Sequence, residues 1–251
     1  MRIDDPQITP ERMRVFAESG QWSNTTSNER FEEIARTEPD KLAIVDGDVR
    51  LTFGQYFGRC RRLASHFIAL GLTEKDVIAA QLPNWNEVVT VINAAMMAGI
   101  PFCQFHSDFR SREVQFICSF TEATLLVVPH HFRGFDYLEM LERLRPELPK
   151  LKHVYVVGTD VPEGYVDLRR FLEADAPLEV PEGELAKRQP HGNDLCRIAF
   201  TSGTTGDPKA VLHLHNTTNC AVHILNREQA ITESSIFLVV NGGAKTSRVA
   251  A

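Results

Sequence analysis

The sequence predicts an α/β protein with mainly parallel sheets covered by helices. Three observations carry that expectation. Short apolar runs of strand length alternate with longer stretches at helical spacing. Gly, Pro, Asn and Asp stand at the joints between them. Hydrophobic residues make up 43% of the 251 positions and charged residues 24%, the balance of a globular chain with a substantial core.

The elements follow in order. Residues 1–24 are polar and read as an entry arm, and a first α/β subdomain is expected over 25–173. LAIVD (Leu42 to Asp46) reads as a strand, and VRLTF (Val49 to Phe53) as a turn into a helix. That helix is well marked. Thr52 and Gln55 fit a capping box, Phe53, Phe57, Cys60, Ala64 and Phe67 recur at helical spacing, and Gly71 suits a left-handed C-terminal cap. DVIAAQLP (Asp76 to Pro83) is the next strand, and Asn84 and Glu87 are expected to cap a helix ending near Gly99. A helix near Ser111 to Phe120, the strand TLLVV, and a helix from Asp136 to Arg145 stopped by Pro146 come next. The strand HVYVVG and a short helix around Leu168 to Glu173 end the first subdomain.

Residues 174–194, rich in Pro, Gly and charge, read as a surface linker. A second α/β subdomain is expected to start over 195–240. There CRIAF and AVLHLH are strands, Asn216 starts a helix to about Asn226, and IFLVV is the last strand. Residues 241–251 show no apolar periodicity and read as a disordered tail.

The chain's chemistry centres on TSGTTGDPK, Thr201 to Lys209. Glycines let backbone N–H groups turn inward as an anion nest, hydroxyls add donors, and a lysine supplies a positive point charge. The spacing is not that of GxxxxGK[ST], and a strand rather than a helix follows. The bland alternative is a polar hairpin turn. No GxGxxG follows a strand, which argues against a dinucleotide-binding regulatory domain.

The string FTSGTTGDPKAVLHLHN resembles the phosphate-binding signature of the AMP-forming acyl-CoA synthetases, members of the adenylate-forming superfamily. Weaker likenesses agree in order from about Trp22 to Val240: PDKLAIVDGDVRLTFGQ, DVIAAQLPNWNEVV and REVQFI. The resemblance implies the N-terminal part of the large domain of such an enzyme. It implies joining a carboxylic acid to AMP with release of pyrophosphate, then transfer to the thiol of CoA. Thr201, Ser202, Thr204 and Thr205 would donate hydrogen bonds to ATP phosphates, Gly203 and Gly206 would permit the turn, and Lys209 would reach the terminal phosphates. ATP, Mg2+ and CoA are the implied cofactors. One departure is Ala210, where the family usually has Gly; the added methyl is expected to be tolerated. The family's other catalytic parts lie downstream, so no catalytic residue is assigned. The chain reads as truncated or frame-shifted after Val240 and is expected to be inactive alone.

For the acid, VVPHHFRGFDYLEMLERLRPELPKLKHVYVVG is similar to ligases of short- or medium-chain fatty acids or alicyclic acids such as cyclohexanecarboxylate. QLPNWNEVV resembles aryl-acid AMP ligases such as those activating dihydroxybenzoate, the second choice. A non-catalytic remnant is a third.

Other candidates have plainer readings. His213 and His215 alternate in a strand, share one face and read as packing groups. His130 and His131 are expected to point apart on the surface. Trp85 reads as a packed helix start rather than the wall of a substrate path, and Glu113 and Glu139 as solvated or capping. A formal charge of −6 argues against a general nucleic-acid partner. No leader or membrane span is seen, and five scattered cysteines without a CxxC pair point to reduced thiols in a cytoplasmic protein.

Overall fold

The structure, a computed structural model, describes residues 9–201, 208–241 and 245–248. Its N-terminal arm is helical: α1 (Pro10–Glu18) and α2 (Ser27–Thr37) precede the first strand. The signal for α1 was present in Thr-Pro-Glu. Thr9 caps it by accepting from the Arg12 N–H, and Pro10 occupies the first turn, where its missing N–H costs nothing.

A hairpin follows, β1 (Leu42–Asp46) with β2 (Val49–Thr52). VRLTF is therefore a strand before it is a helix start, because Gly47, at φ +55, closes a tight turn after Asp46. Helix α3 (Phe53–Ala69) then begins on the expected capping box of Thr52 and Gln55. Cys60, Ala64 and Phe67 are fully buried along one stripe, and Gly71 takes φ +78 behind the helix.

The centre is a seven-stranded sheet. Its strands in chain order are β3 (Ile78–Ala80), β4 (Phe102–Gln104), β5 (Leu125–Pro129), β8 (His153–Val157), β9 (Val166–Asp167), β10 (Leu195–Thr201) and β11 (Lys209–Leu214). Between β5 and β8 lies a small hairpin, β6 (His131–Phe132) with β7 (Phe135–Asp136). The spatial order is β11-β10-β4-β3-β5-β8-β9, parallel throughout except for the antiparallel edge strand β11.

Both sheet faces are covered, which explains the continuous apolar runs. In β5, Leu125 and Val127 face a core shared with α3 and α4 (Asn86–Met97). Leu126 and Val128 face a second core with α5 (Ser111–Phe120) and α6 (Tyr137–Leu144). All four are fully buried. Tyr155 and Val157 in β8 face the first core, and Val154 and Val156 the second. Pro146 sits in a 3-10 turn, Arg145–Glu147, just past α6.

Three capping expectations change. Helix α4 starts after Trp85, and its first N–H is capped from outside: Asn86 N donates to Asp46 Oδ2 over 2.8 Å. Glu87 is buried and turned to Arg169 instead of capping. Asn216 is the second residue of α9 (His215–Glu228), not its cap. Its side chain ties Asn24 to Asn193, with Nδ2 donating to both amide oxygens.

Residues 174–194 are more structured than a plain linker. They follow α7 (Leu168–Glu173) and contain α8 (Glu182–Lys187), whose Leu185 is buried. Glu179 bonds to His66 over 2.6 Å, and the Val180 N–H donates to Ser65 Oγ over 2.9 Å. Beyond them, β10 joins the central sheet beside β4. The tail also holds an element: β13 (Lys245–Arg248) pairs antiparallel with β12 (Phe237–Asn241).

Candidate functional site

The stretch TSGTTGDPK connects β10 to β11, which pair antiparallel. Thr201 and Lys209 are their last register pair, and Thr201 Oγ1 donates to the Lys209 carbonyl over 3.4 Å. Both side chains are exposed. Ser202, Gly203, Thr204, Thr205 and Gly206 lie outside the described residues. The hairpin fixes where the motif sits. It leaves the carboxyl end of β10, which runs parallel to β4, and open α/β sheets take ligands at that edge. Directly opposite residues share a face, so Thr201 and Lys209 present their side chains together.

Ala210 stands opposite Phe200, and its methyl packs toward the core of α5 and α6. Four residues back from Thr201, on the same face of β10, stands Arg197, opposite His213. Burial, then the Arg197 charge, holds the His213 imidazole below its ordinary pKa. His213 and His215 do not share a strand face, because the chain turns into α9 at His215. His215 is buried and likewise held low, by burial, against a smaller opposing effect from Asp194.

Next to this face is a cleft of about 700 Å³ between the β1–β2 hairpin, the start of α4, and β12. Asn84, Trp85, Gln104 and Arg197 line it, with Leu238 and Val239. Trp85 is packed, as expected of a helix start, and also borders the cleft. It packs edge-on to Phe132 at 5.6 Å under the Arg169 guanidinium, and it forms part of the cleft wall. Arg197 and the Glu87–Arg169 pairing had no sequence signal: a lone Arg in CRIAF looks like a surface charge, and Glu87 read as a helix cap.

The loop after β4 is pinned from below. Gln81 Nε2 donates to the carbonyls of Phe109 at 2.8 Å and His106 at 3.2 Å, and the Tyr137 hydroxyl donates to the Ser107 carbonyl at 2.8 Å. Glu113 Oε2 accepts from the Arg110 N–H, and Glu139 pairs with Arg143, as the solvated or capping reading expects. The cysteines are unpaired. Burial pushes Cys118 and Cys196 up to about 12 and Cys60 and Cys103 higher, so these thiols stay protonated.

Residues 31–241 match the AMP-binding enzyme family. The chain belongs to that family. Among AMP-binding enzymes, it is 30% identical over 207 residues to the 2-hydroxy-7-methoxy-5-methyl-1-naphthoate–CoA ligase of Streptomyces carzinostaticus, covering 80% of this chain and 36% of that protein. It is 26% identical over 208 residues to the medium-chain fatty-acid–CoA ligase of Escherichia coli K12, covering 82% and 36%. The apo structure of Mycobacterium smegmatis MbtA shares the fold, with a TM-score of 0.70 and 23% identity over 84% of this chain and 37% of that one. The chain thus spans about a third of the length of these AMP-binding enzymes. Among the described residues, no helix is long and apolar enough to cross a membrane.

Proposed function

We propose that this chain supplies the phosphate-holding part of an AMP-forming acid–thiol ligase. The reaction joins a carboxylate to the α-phosphate of ATP, releases pyrophosphate and passes the acyl group to CoA. One observation carries this reading: TSGTTGDPK hangs from the carboxyl end of β10, with Thr201 and Lys209 paired at its base. Negative charge builds on the leaving pyrophosphate, and preorganised donors at that point lower the barrier. Lys209 is read as the cation at the terminal phosphates, and Thr201, Ser202, Thr204 and Thr205 as hydrogen-bond donors around them. Gly203 and Gly206 are read as the positions that let the backbone close on the phosphates.

Magnesium bound to ATP would offset phosphate charge. Among the described residues no carboxylate pairs with Lys209 or Thr201, so no step here is assigned to a protein-held magnesium ion.

For the acid, two classes stand. The 30% identity to the naphthoate ligase supports an aryl acid, against the short- or medium-chain or alicyclic acid favoured by the stretch 127–158, of which the medium-chain choice is supported by the 26% relative. Acid-dependent exchange of labelled pyrophosphate into ATP, run on the full-length protein with both acid classes, tests the reading. Exchange driven by one class and abolished by Lys209→Met supports it. ATP turnover without acid dependence contradicts it.

A further inference from the structure

The short β6–β7 hairpin gathers two imidazoles and a carboxylate. We propose that His130, His131 and Asp136 form a binding site for a divalent transition-metal ion of the zinc type, separate from the nucleotide loop.

The arrangement follows from the turn. Arg133 at φ +51 and Gly134 at φ +76 close a two-residue loop, the geometry that pairs strands tightly. It sets His131 directly opposite Asp136, so both side chains stand on one face. His131 Nδ1 lies 3.9 Å from Asp136 Oδ2. His130 would point to the other face of a continuous strand. It does not, because β5 ends at Pro129 and the backbone bends there. The His130 N–H donates to the Val157 carbonyl at 2.9 Å, and the His130 carbonyl accepts from the Tyr137 N–H at 3.0 Å. Its ring then stacks on His131, centroids 3.9 Å apart and 22° between planes. The expectation that the two rings diverge is thereby overturned.

Each residue brings a ligating atom, and the three lie within 4.8 Å of one another. Metal bonds of about 2.0–2.2 Å place tetrahedral donors roughly 3.4 Å apart, so a small rotation of the exposed His131 side chain brings the set toward that spacing. Two of the positions are held from behind. Asp136 Oδ1 already accepts from the N–H groups of Leu138 at 2.9 Å and Glu139 at 3.0 Å, which leaves Oδ2 toward His131. His130 is fixed by its two backbone bonds and packs against Gly158, where a Cβ would come within 2.9 Å of its own. The hairpin's cation, Arg133, is engaged over Phe132 and with Asp108.

The donor set decides the ion. Two imidazoles with one carboxylate suit Zn2+, Co2+ or Ni2+, whereas Mg2+ prefers oxygen ligands and keeps its waters. Three protein ligands leave a position for water or an anion. Two strands separate β5 from β10 in the sheet, roughly 14 Å at ordinary strand spacing, so the ion would not be the one carried by ATP.

The test is isothermal titration of the 251-residue chain with zinc chloride, without nucleotide, and with the variants His131→Ala and Asp136→Asn. Asparagine also caps helices, so the second variant keeps α6 intact, and circular dichroism checks both. One zinc site is expected, weakened at least tenfold in each variant. Cobalt in place of zinc should give a visible ligand-field band that both variants lose. Zinc binding unchanged in the variants, no saturable binding at millimolar zinc, or magnesium binding as tightly as zinc would each overturn the proposal.

Discussion

Arg169 Nε donates to Glu87 Oε1 over 2.6 Å, joining the start of α7 to the first turn of α4. Glu87 is 3% exposed and Arg169 40%, so one half of the pair is buried and the other is not. The Asn86 amide also donates to Glu87 Oε2 at 3.1 Å, and the guanidinium covers Trp85. Arg169→Ala removes the guanidinium bonded to this buried carboxylate. We expect a loss of about 2 kcal/mol in chemical denaturation, at the low side for a broken buried pair because Arg169 is solvated. Glu87→Gln should cost less, since a neutral amide can stay buried with its hydrogen bonds.

Asp46 caps a helix to which it does not belong. Its Oδ2 accepts from Asn86 N at 2.8 Å and Asn86 Nδ2 at 3.1 Å. Asp46→Ala should destabilise the chain by about 1 kcal/mol, the usual worth of an N-terminal cap. Asp46→Asn should recover part of that loss in the same denaturation series.

Asp76 and the histidines held low, His153, His213 and His215, make the fold acid-sensitive in different windows. Burial pushes the Asp76 carboxyl up, but donors from Thr124 at 2.7 Å and from Thr73 at 2.9 Å and 3.0 Å outweigh it and hold the pKa below the ordinary value. A folded value below the unfolded one gives stability that is present above about pH 4 and lost as pH falls through the folded value. Buried His215 is also held low, so its contribution is full above about pH 6.5 and declines as the unfolded state takes up a proton. Thermal melts should therefore fall in two stages. His215→Gln should flatten part of the stage between pH 7 and 5, which it shares with His153 and His213, and Asp76→Asn the stage below about pH 4.

We propose that the division near 174–194 operates as a boundary for proteolysis despite its packed half. Residues 173–177 are exposed, whereas Leu185 is buried and 179–180 are tied to α3. Limited digestion with a Glu-specific protease should cut first at Glu173, ahead of Glu182 and Glu184 in α8. Cleavage starting within α8 would contradict this reading.

The legible parts of the fold share a cause. Helices α3, α5 and α7 and strands β5 and β8 were visible because period, cap and turn residues agree locally. What failed depended on distant partners. The α4 cap comes from Asp46, forty residues away, and Glu87 reaches α7. Placing β10 beside β4 needs the folded sheet, since a strand's neighbours are not written in its own residues. His130 and His131 meet because β5 stops at Pro129, which alternation alone does not reveal. The two strands flanking TSGTTGDPK were legible for the opposite reason: their alternation is local, and it pairs Thr201 with Lys209 at the base of the stretch proposed to hold phosphate.

The most direct test of the account is equilibrium binding of ATP to the 251-residue chain, compared with Lys209→Met. The reading predicts saturable binding, competed by pyrophosphate and weakened at least tenfold by the substitution, with an unchanged circular dichroism spectrum. ATP binding that ignores Lys209→Met, or no binding at millimolar ATP, would contradict the assignment of this hairpin as the phosphate-holding element.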